Sequence, residues 1–330
     1  MRQSILSYIE RLQVGEPQRH ENLVMVPLVS DYDDGLGYLP LAEAVAAGLF
    51  EIREVSEAGS VPELRVVNRG DKPVLILDGE ELVGAKQNRI VNTTILVPAD
   101  TELEIPVSCV EQGRWSYRGK SFETKKRVLN VGIRRLKAQT VHHSLRTCGT
   151  FAADQETIWS GVENTARMHE AVSASMDLDF VFEKKSPVLE KYALGLSPCE
   201  RQLGAAFLAG GEVMGFDAFG RPGTLHAMFR GLVESYALDA LSAKKEETPA
   251  ATAQEKVSAF LAAAQSARVE SRPSVGLGVD LRLETEKLTG FALEHEEKIV
   301  HFVLFPQVES EKHVELEFLV RQIRRRLRRV

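Results

Sequence analysis

The dipeptide Asp78-Gly79 constrains this chain more than any other feature. It separates Val74-Leu75-Ile76-Leu77 from Glu80-Glu81-Leu82-Val83, and Asp-Gly supplies the positive-φ positions of a tight turn, which other pairs adopt only at a cost. The spacing predicts a β-hairpin, and its surroundings read the same way. Strand chemistry runs over 23–29, 50–55, 63–68 and 73–77, with a short helix over 38–49. Two further strands are expected at 89–97 and 102–110, separated by Pro98-Ala99-Asp100. In the second, Leu103, Ile105, Val107 and Cys109 share one face, while Glu104, Pro106 and Ser108 share the other. Short strands at this spacing indicate a β-rich, sandwich-like sheet.

Further along, the pattern changes. Residues 123–196 are more helical and more polar, and the best helix there is 155–176, with Ile158, Val162, Ala166 and His169 near one stripe. A hairpin with a glycine turn is expected where 202–208 and 212–218 flank Ala209-Gly210-Gly211. Thr224 caps a helix running to about Leu241, a polar linker covers 244–252, and a second helix covers 254–267. Three strands close the pattern at 275–283, 287–293 and 298–305. The fold class is therefore α+β: an N-terminal β-rich sandwich-like sheet, a helical middle segment, and a C-terminal antiparallel sheet with two helices. The expected divisions are a β-rich domain at 1–122, a helical connection at 123–200, an α+β domain at 201–306 and a tail at 307–330. That tail carries Arg321, Arg324, Arg325, Arg326, Arg328 and Arg329 around Leu316, Leu319, Ile323 and Leu327. Such a basic amphipathic helix binds anionic surfaces or simply stays solvated, and the solvated reading weighs more here.

Composition removes several functional classes. A hydrophobic share of 44% with 27% charged residues excludes collagenous, coiled-coil and wholly disordered chains. The net charge of -6 leaves nucleic acid an unexpected partner except through the Arg321–Arg329 tail. Three cysteines without a CxxC pair point away from a disulfide framework and toward a reducing compartment. The first fourteen residues lack a signal-peptide pattern, and no run reaches the roughly 18 apolar residues of a membrane span. A cytoplasmic location without membrane association is expected. Eight histidines make no HxH or HExxH pattern, so no metal site is expected, and no motif calls for a cofactor.

Chemistry-bearing residues concentrate in two places. The first is Asp78-Gly-Glu80-Glu81, followed by Lys86-Gln87-Asn88-Arg89 and Asn92. Here a carboxylate suits general-base work, and Arg89 suits bidentate capture of an anion. The competing reading is the wet face of an antiparallel hairpin, with Asp78 only a turn residue. The second place is Ser108-Cys109-Val110-Glu111-Gln112-Gly-Arg114-Trp115. Cys109 shares the apolar phase of its strand, which favours packing over catalysis, whereas Glu111, Gln112, Arg114 and Trp115 lie beyond it. The two segments are expected to be paired or neighbouring strands. The stretch Asp217-Ala-Phe219-Gly220-Arg221 is a lesser polar candidate, more simply read as a capped turn.

The run Leu77-Asp78-Gly-Glu80-Glu81-Leu-Val-Gly84-Ala-Lys86-Gln87-Asn88-Arg89, then Leu96-Val-Pro98 and Ile105-Pro106-Val-Ser108-Cys109-Val-Glu111-Gln112-Gly-Arg114-Trp115, resembles the ADP-ribosylglycohydrolase and rhodanese-phosphatase-associated protein domain, a bacterial family. The segments around Asp217 and Tyr236 resemble it too, so the likeness spans roughly residues 23–306. It implies a link to ADP-ribose or NAD-derived nucleotide metabolism. Three functions follow from these expectations. One is a ligand-binding or accessory module for a nucleotide or ADP-ribose-type ligand or a protein partner, using Asp78, Lys86, Gln87, Asn88, Arg89, Asn92, Gln112, Arg114 and Trp115. Another is a hydrolase or transferase on such ligands with Glu80, Glu81 or Glu111 as catalytic base. The last is a structural or assembly protein whose polar residues satisfy one another.

Overall fold

The computed structural model describes residues 2–56, 59–60, 62–119 and 121–307. The arginine-rich tail read from the sequence at 321–329 lies outside the described residues. The fold is α+β, with one large and two smaller sheets.

The large sheet is antiparallel throughout and draws strands from both ends of the chain. Its order is Gln13–Val14, Leu23–Val29, Gln202–Ala209, Glu212–Phe219, Lys298–Pro306, Leu288–His295, Val279–Glu284 and Arg268–Pro273, with Gln18–His20 also paired to Leu23–Val29. Period-two alternation sorts its side chains to two cores. Val24, Val26, Leu28, Phe302 and Leu304 pack with helices Gln3–Arg11 and Ala250–Ala264 on one face. Leu23, Met25, Val303 and Phe305 pack with helices Val131–Cys148, Gln155–Met168, Leu178–Gly195 and Pro222–Ala240 on the other. Both faces are covered by helices, which explains why these strands are apolar almost without interruption. The glycine hairpin is present: Gly210 and Gly211 take φ of 57° and 78°, the two positive values its mirror-image turn needs.

The six-stranded sheet runs Phe122–Val128, Glu80–Gly84, Arg89–Val91, Thr101–Cys109, Glu63–Asn68 and Phe50–Glu54. Ile52, Leu64, Val66, Leu82, Val91 and Ile105 form a third core on it. In the three-stranded sheet Val74–Ile76 is central, antiparallel to Ile95–Val97 and parallel to Leu39–Pro40.

Two expectations about these sheets are corrected. Asp78-Gly79 does form a tight turn, with Gly79 at φ 75° and the Glu80 amide donating to the Leu77 carbonyl at 3.1 Å. It does not close a hairpin, because the strand before it pairs in the three-stranded sheet and the strand after it in the six-stranded one. The single strand expected at 89–97 likewise splits into Arg89–Val91 and Ile95–Val97, in different sheets. The break falls at Asn92-Thr93-Thr94, whose side chains bond Ser108, Asp280 and His301 rather than continuing an alternating face. The helix expected over 155–176 stops at Met168. Helix Val131–Cys148 was only weakly legible, since its buried face carries Arg134 and Lys137 where periodicity looks for hydrocarbons.

Candidate functional site

The polar residues of the two motif segments are not on a wet face. Asp78, Glu80, Glu81, Lys86, Gln87, Asn88, Arg89, Asn92, Glu111 and Arg114 are all buried, as if belonging to a core. Buried charges must be paired or meet a ligand, and the structure distributes these residues among separate environments.

Asp78 lies in a network between the sheets. Its carboxylate accepts from Arg134 Nε at 3.0 Å and from Lys137 Nζ, while Arg134 Nη2 also lies 2.7 Å from Asp217. Asp217 in turn takes the Tyr236 hydroxyl at 2.8 Å and faces His301 Nε2 at 3.3 Å, whose Nδ1 lies 2.7 Å from the Thr94 hydroxyl. Burial pushes Lys137 down to about 8 despite Asp78, and the Arg134 guanidinium holds Asp217 well below the usual carboxylate range even though burial opposes it. Asp78 is thus one corner of a lattice joining helix Val131–Cys148 to the large sheet, not only a turn residue. Arg134, Lys137 and His301 carried no sequence signal, because each is brought to Asp78 or Asp217 across a separation of 56 to 84 residues.

Glu80 and Glu81 point apart, as neighbours on a strand do. Glu80 accepts from the Leu77 amide at 3.1 Å and the Thr124 hydroxyl at 2.9 Å, with no ion pair to a cation among the described residues, and burial raises it to about 7. Glu81 pairs with Arg127 at 2.6 Å, and Arg127 is shared with Asp179. Burial raises Glu81 as well, and one arginine serving two carboxylates leaves that rise in place. Glu111 accepts from the Asn88 amide at 3.2 Å and Arg114 Nε at 2.8 Å, and the arginine holds it low despite burial. Arg114 also donates to the carbonyls of Gly84, Ala85 and Ser116, locking the turn at 84–88 to the loop after Cys109. Asn88 extends that lock to Asp177 at 3.0 Å. Asn92 bonds Ser108 at 2.8 Å and the Phe151 carbonyl at 3.0 Å, and Gln112 meets Gln87 only through its backbone carbonyl.

What remains is Arg89, which is not satisfied by its neighbours. Strand Arg89–Val91 pairs with Thr101–Cys109 so that Arg89 lies opposite Cys109, the adjacency expected from sequence. Arg89 is fully buried, and one Nη bonds Gln87 Oε1 at 2.7 Å and the Cys109 thiol. Its Nε and other Nη have no hydrogen-bond partner. Trp115, 47% exposed, lies over that guanidinium at 5.5 Å from the ring centroid. The Lys86 ammonium sits 5.3 Å from the Trp115 ring and 5.0 Å from that of Tyr117, itself 51% exposed. Two cations beside exposed aromatic faces can hold an anion and a planar ring. Burial pushes the Cys109 thiol up, consistent with a packed rather than nucleophilic cysteine. Among the described residues, no group of three or more His, Cys, Asp and Glu is arranged to hold a metal ion, and no helix is long and apolar enough to cross a membrane.

The chain belongs to the ARPP-1 family, the ARG and Rhodanese-Phosphatase-superfamily-associated Protein domain, whose model matches residues 11–305. This is the family its motif run resembles. No curated protein matches the chain, and no solved structure does.

Proposed function

We propose that this ARPP-1 chain is a cytoplasmic ligand-binding or accessory module of ADP-ribose and NAD-derived nucleotide metabolism, with its site at Arg89, Lys86, Gln87, Trp115 and Tyr117. One observation carries the reading: a fully buried guanidinium with two nitrogens unbonded, beneath a half-exposed tryptophan. A buried donor left unmade costs about 1–3 kcal/mol, more when charged, so an arginine held this way is explained by an anion it receives. Phosphate on Arg89 and a base on Trp115 or Tyr117 match the chemistry of a nucleotide, and the family name associates the domain with ARG and the rhodanese-phosphatase superfamily, which we read as a link to ADP-ribose chemistry. Asp78, Asn88, Asn92, Glu111 and Arg114 then serve as the frame around the site rather than as its contacts.

The hydrolase or transferase reading has support at one carboxylate. Glu81 keeps Oε1 unbonded and lies behind Arg127, which lines a 220 Å³ pocket with Phe182, Glu183, Ser186, Leu189 and Glu234. Glu80 spends its oxygens on the Leu77 amide and the Thr124 hydroxyl, and Glu111 gives Oε2 to Asn88 and Arg114 while its Oε1 lies 3.6 Å from Arg118.

A thermal-shift screen of the intact protein against ADP-ribose, NAD, AMP and inorganic phosphate tests the binding reading. A ligand at a hundredfold excess over its Kd adds about 2.7 kcal/mol of stability. ADP-ribose or NAD should raise the midpoint in the wild type and leave it unmoved in Arg89→Ala and Trp115→Ala. If no probe moves the wild type, the small-molecule reading falls and an accessory role toward a protein partner replaces it. Turnover of ADP-ribose that survives Arg89→Ala but not Glu81→Gln would instead support the catalytic reading.

A further inference from the structure

Strand Phe50–Glu54 alternates regularly: Phe50, Ile52 and Glu54 are buried, and the residues between them are half-exposed. Glu54 therefore occupies an inward position where the two preceding ones carry hydrocarbon. Its Oε1 accepts from the Lys86 amide at 3.4 Å, and its Oε2 is buried without a hydrogen-bond partner. A charged side chain placed in an apolar row, with one oxygen left open, needs a reason.

The surroundings supply one. A Cβ on Gly59 would lie 3.4 Å from Glu54 Oε2, 3.3 Å from Trp115 Cζ2 and 3.2 Å from Lys86 Cδ, so these three atoms converge on one point beside that glycine. Glu54 and Arg89 also act from opposite directions on the same Cys109 thiol, the carboxylate raising its pKa and the guanidinium lowering it. Both residues thus lie near Cys109, and each keeps a buried atom without a hydrogen bond. A buried acceptor and a buried double donor both lie near one half-exposed indole. The ribose of a nucleotide joins its base to its phosphates, so a base on Trp115 carries its sugar hydroxyls beside that ring, on the side where Glu54 keeps its free oxygen.

Resting on the nucleotide reading above, we propose that Glu54 determines the specificity of this site: its free oxygen accepts the hydroxyls of the ribose attached to the base on Trp115, and it rejects a phosphate on that ribose. A carboxylate rewards a hydroxyl donor with a charge-assisted bond and repels a second anion in a water-poor setting. A site built to hydrogen-bond a hydroxyl discriminates strongly against a ligand that cannot supply it.

Isothermal titration of the full chain with ADP-ribose and with its 2′-phosphorylated analogue, on the adenosine ribose, tests this. The wild type should favour ADP-ribose at least tenfold. Glu54→Ala should weaken ADP-ribose by about 10- to 100-fold, the range for a lost hydrogen bond to a charged group. Glu54→Gln, which keeps the shape and an acceptor, should mainly erase the preference between the two probes. Equal wild-type affinity for both probes would overturn the assignment, as would an undiminished affinity for ADP-ribose in Glu54→Ala with its thermal midpoint retained. Failure of the wild type to bind either probe would instead overturn the nucleotide reading from which this inference starts.

Discussion

Glu80 offers the cleanest test of whether the acidic motif is chemical or architectural. Its carboxyl is buried, accepts two neutral hydrogen bonds and pairs with no cation among the described residues, and burial raises it from 4.5 to about 7. The folded protein therefore holds a proton at Glu80 that the unfolded chain releases between about pH 4.5 and 7. Because the native state binds more protons in that window, stability from this group is fully present below about pH 4.5 and is lost as pH rises through about 7. At 1.36 kcal/mol per pH unit, the ionised form costs the fold roughly 3 kcal/mol at pH 8. Glu80→Gln keeps both partners: its carbonyl takes the Leu77 amide and its amide donates to Thr124. The variant should match the wild type near pH 5 and exceed it by roughly 3 kcal/mol at pH 8, a midpoint rise of roughly 4 °C for a chain of this size. Urea titrations at pH 5, 6, 7 and 8 read the difference directly. A variant less stable than wild type at pH 8 would refute the reasoning, because the charge would then have a favourable partner in the native state.

The other charged positions behave differently. Asp78→Ala strands Arg134 and Lys137 inside the protein and should cost about 3–5 kcal/mol by urea denaturation, the penalty for breaking a buried pair from one side. A loss under 1 kcal/mol would mean the lattice around Asp78 is not structural. Glu111→Ala removes the acceptor of the Asn88 amide and of Arg114 and should likewise lower the thermal midpoint by several degrees, whereas Arg89→Ala should leave it within a few degrees. If Glu111→Ala keeps its midpoint while losing ligand, Glu111 belongs to the site and not to its frame.

Local chemistry was a good guide wherever burial follows a simple period. The glycine turn at 210–211 and the alternating strand through Ile105 and Val107 appear as read, and the helix expected from Thr224 is present but starts at Pro222, with Arg221 and not Thr224 at its cap. It failed where polar residues replace apolar ones inside, as in the helix bearing Arg134 and Lys137. It also failed where a strand changes partner, at Asp78-Gly79 and at Asn92-Thr94. A turn dipeptide specifies the backbone angles of its own residues, not the sheet that the next strand joins.

The candidate site divides along the same line. That Asp78 to Arg89 and Glu111 to Trp115 are unusual, and that they adjoin, was readable from residue types and strand spacing alone, and Arg89 does pair opposite Cys109. Which of those residues stand open was not. Asp78 is satisfied by Arg134 and Lys137, and Glu81 and Glu111 each pair one oxygen with an arginine and keep the other without a hydrogen bond. Arg89 and Glu54 keep buried atoms unbonded, with no ion pair among the described residues to offset them. Sequence alone determines which charges exist and how the backbone tends to run near each of them. Only the folded chain decides which charges meet, because a buried ion is satisfied or left open by groups that lie up to tens of residues away and on other elements.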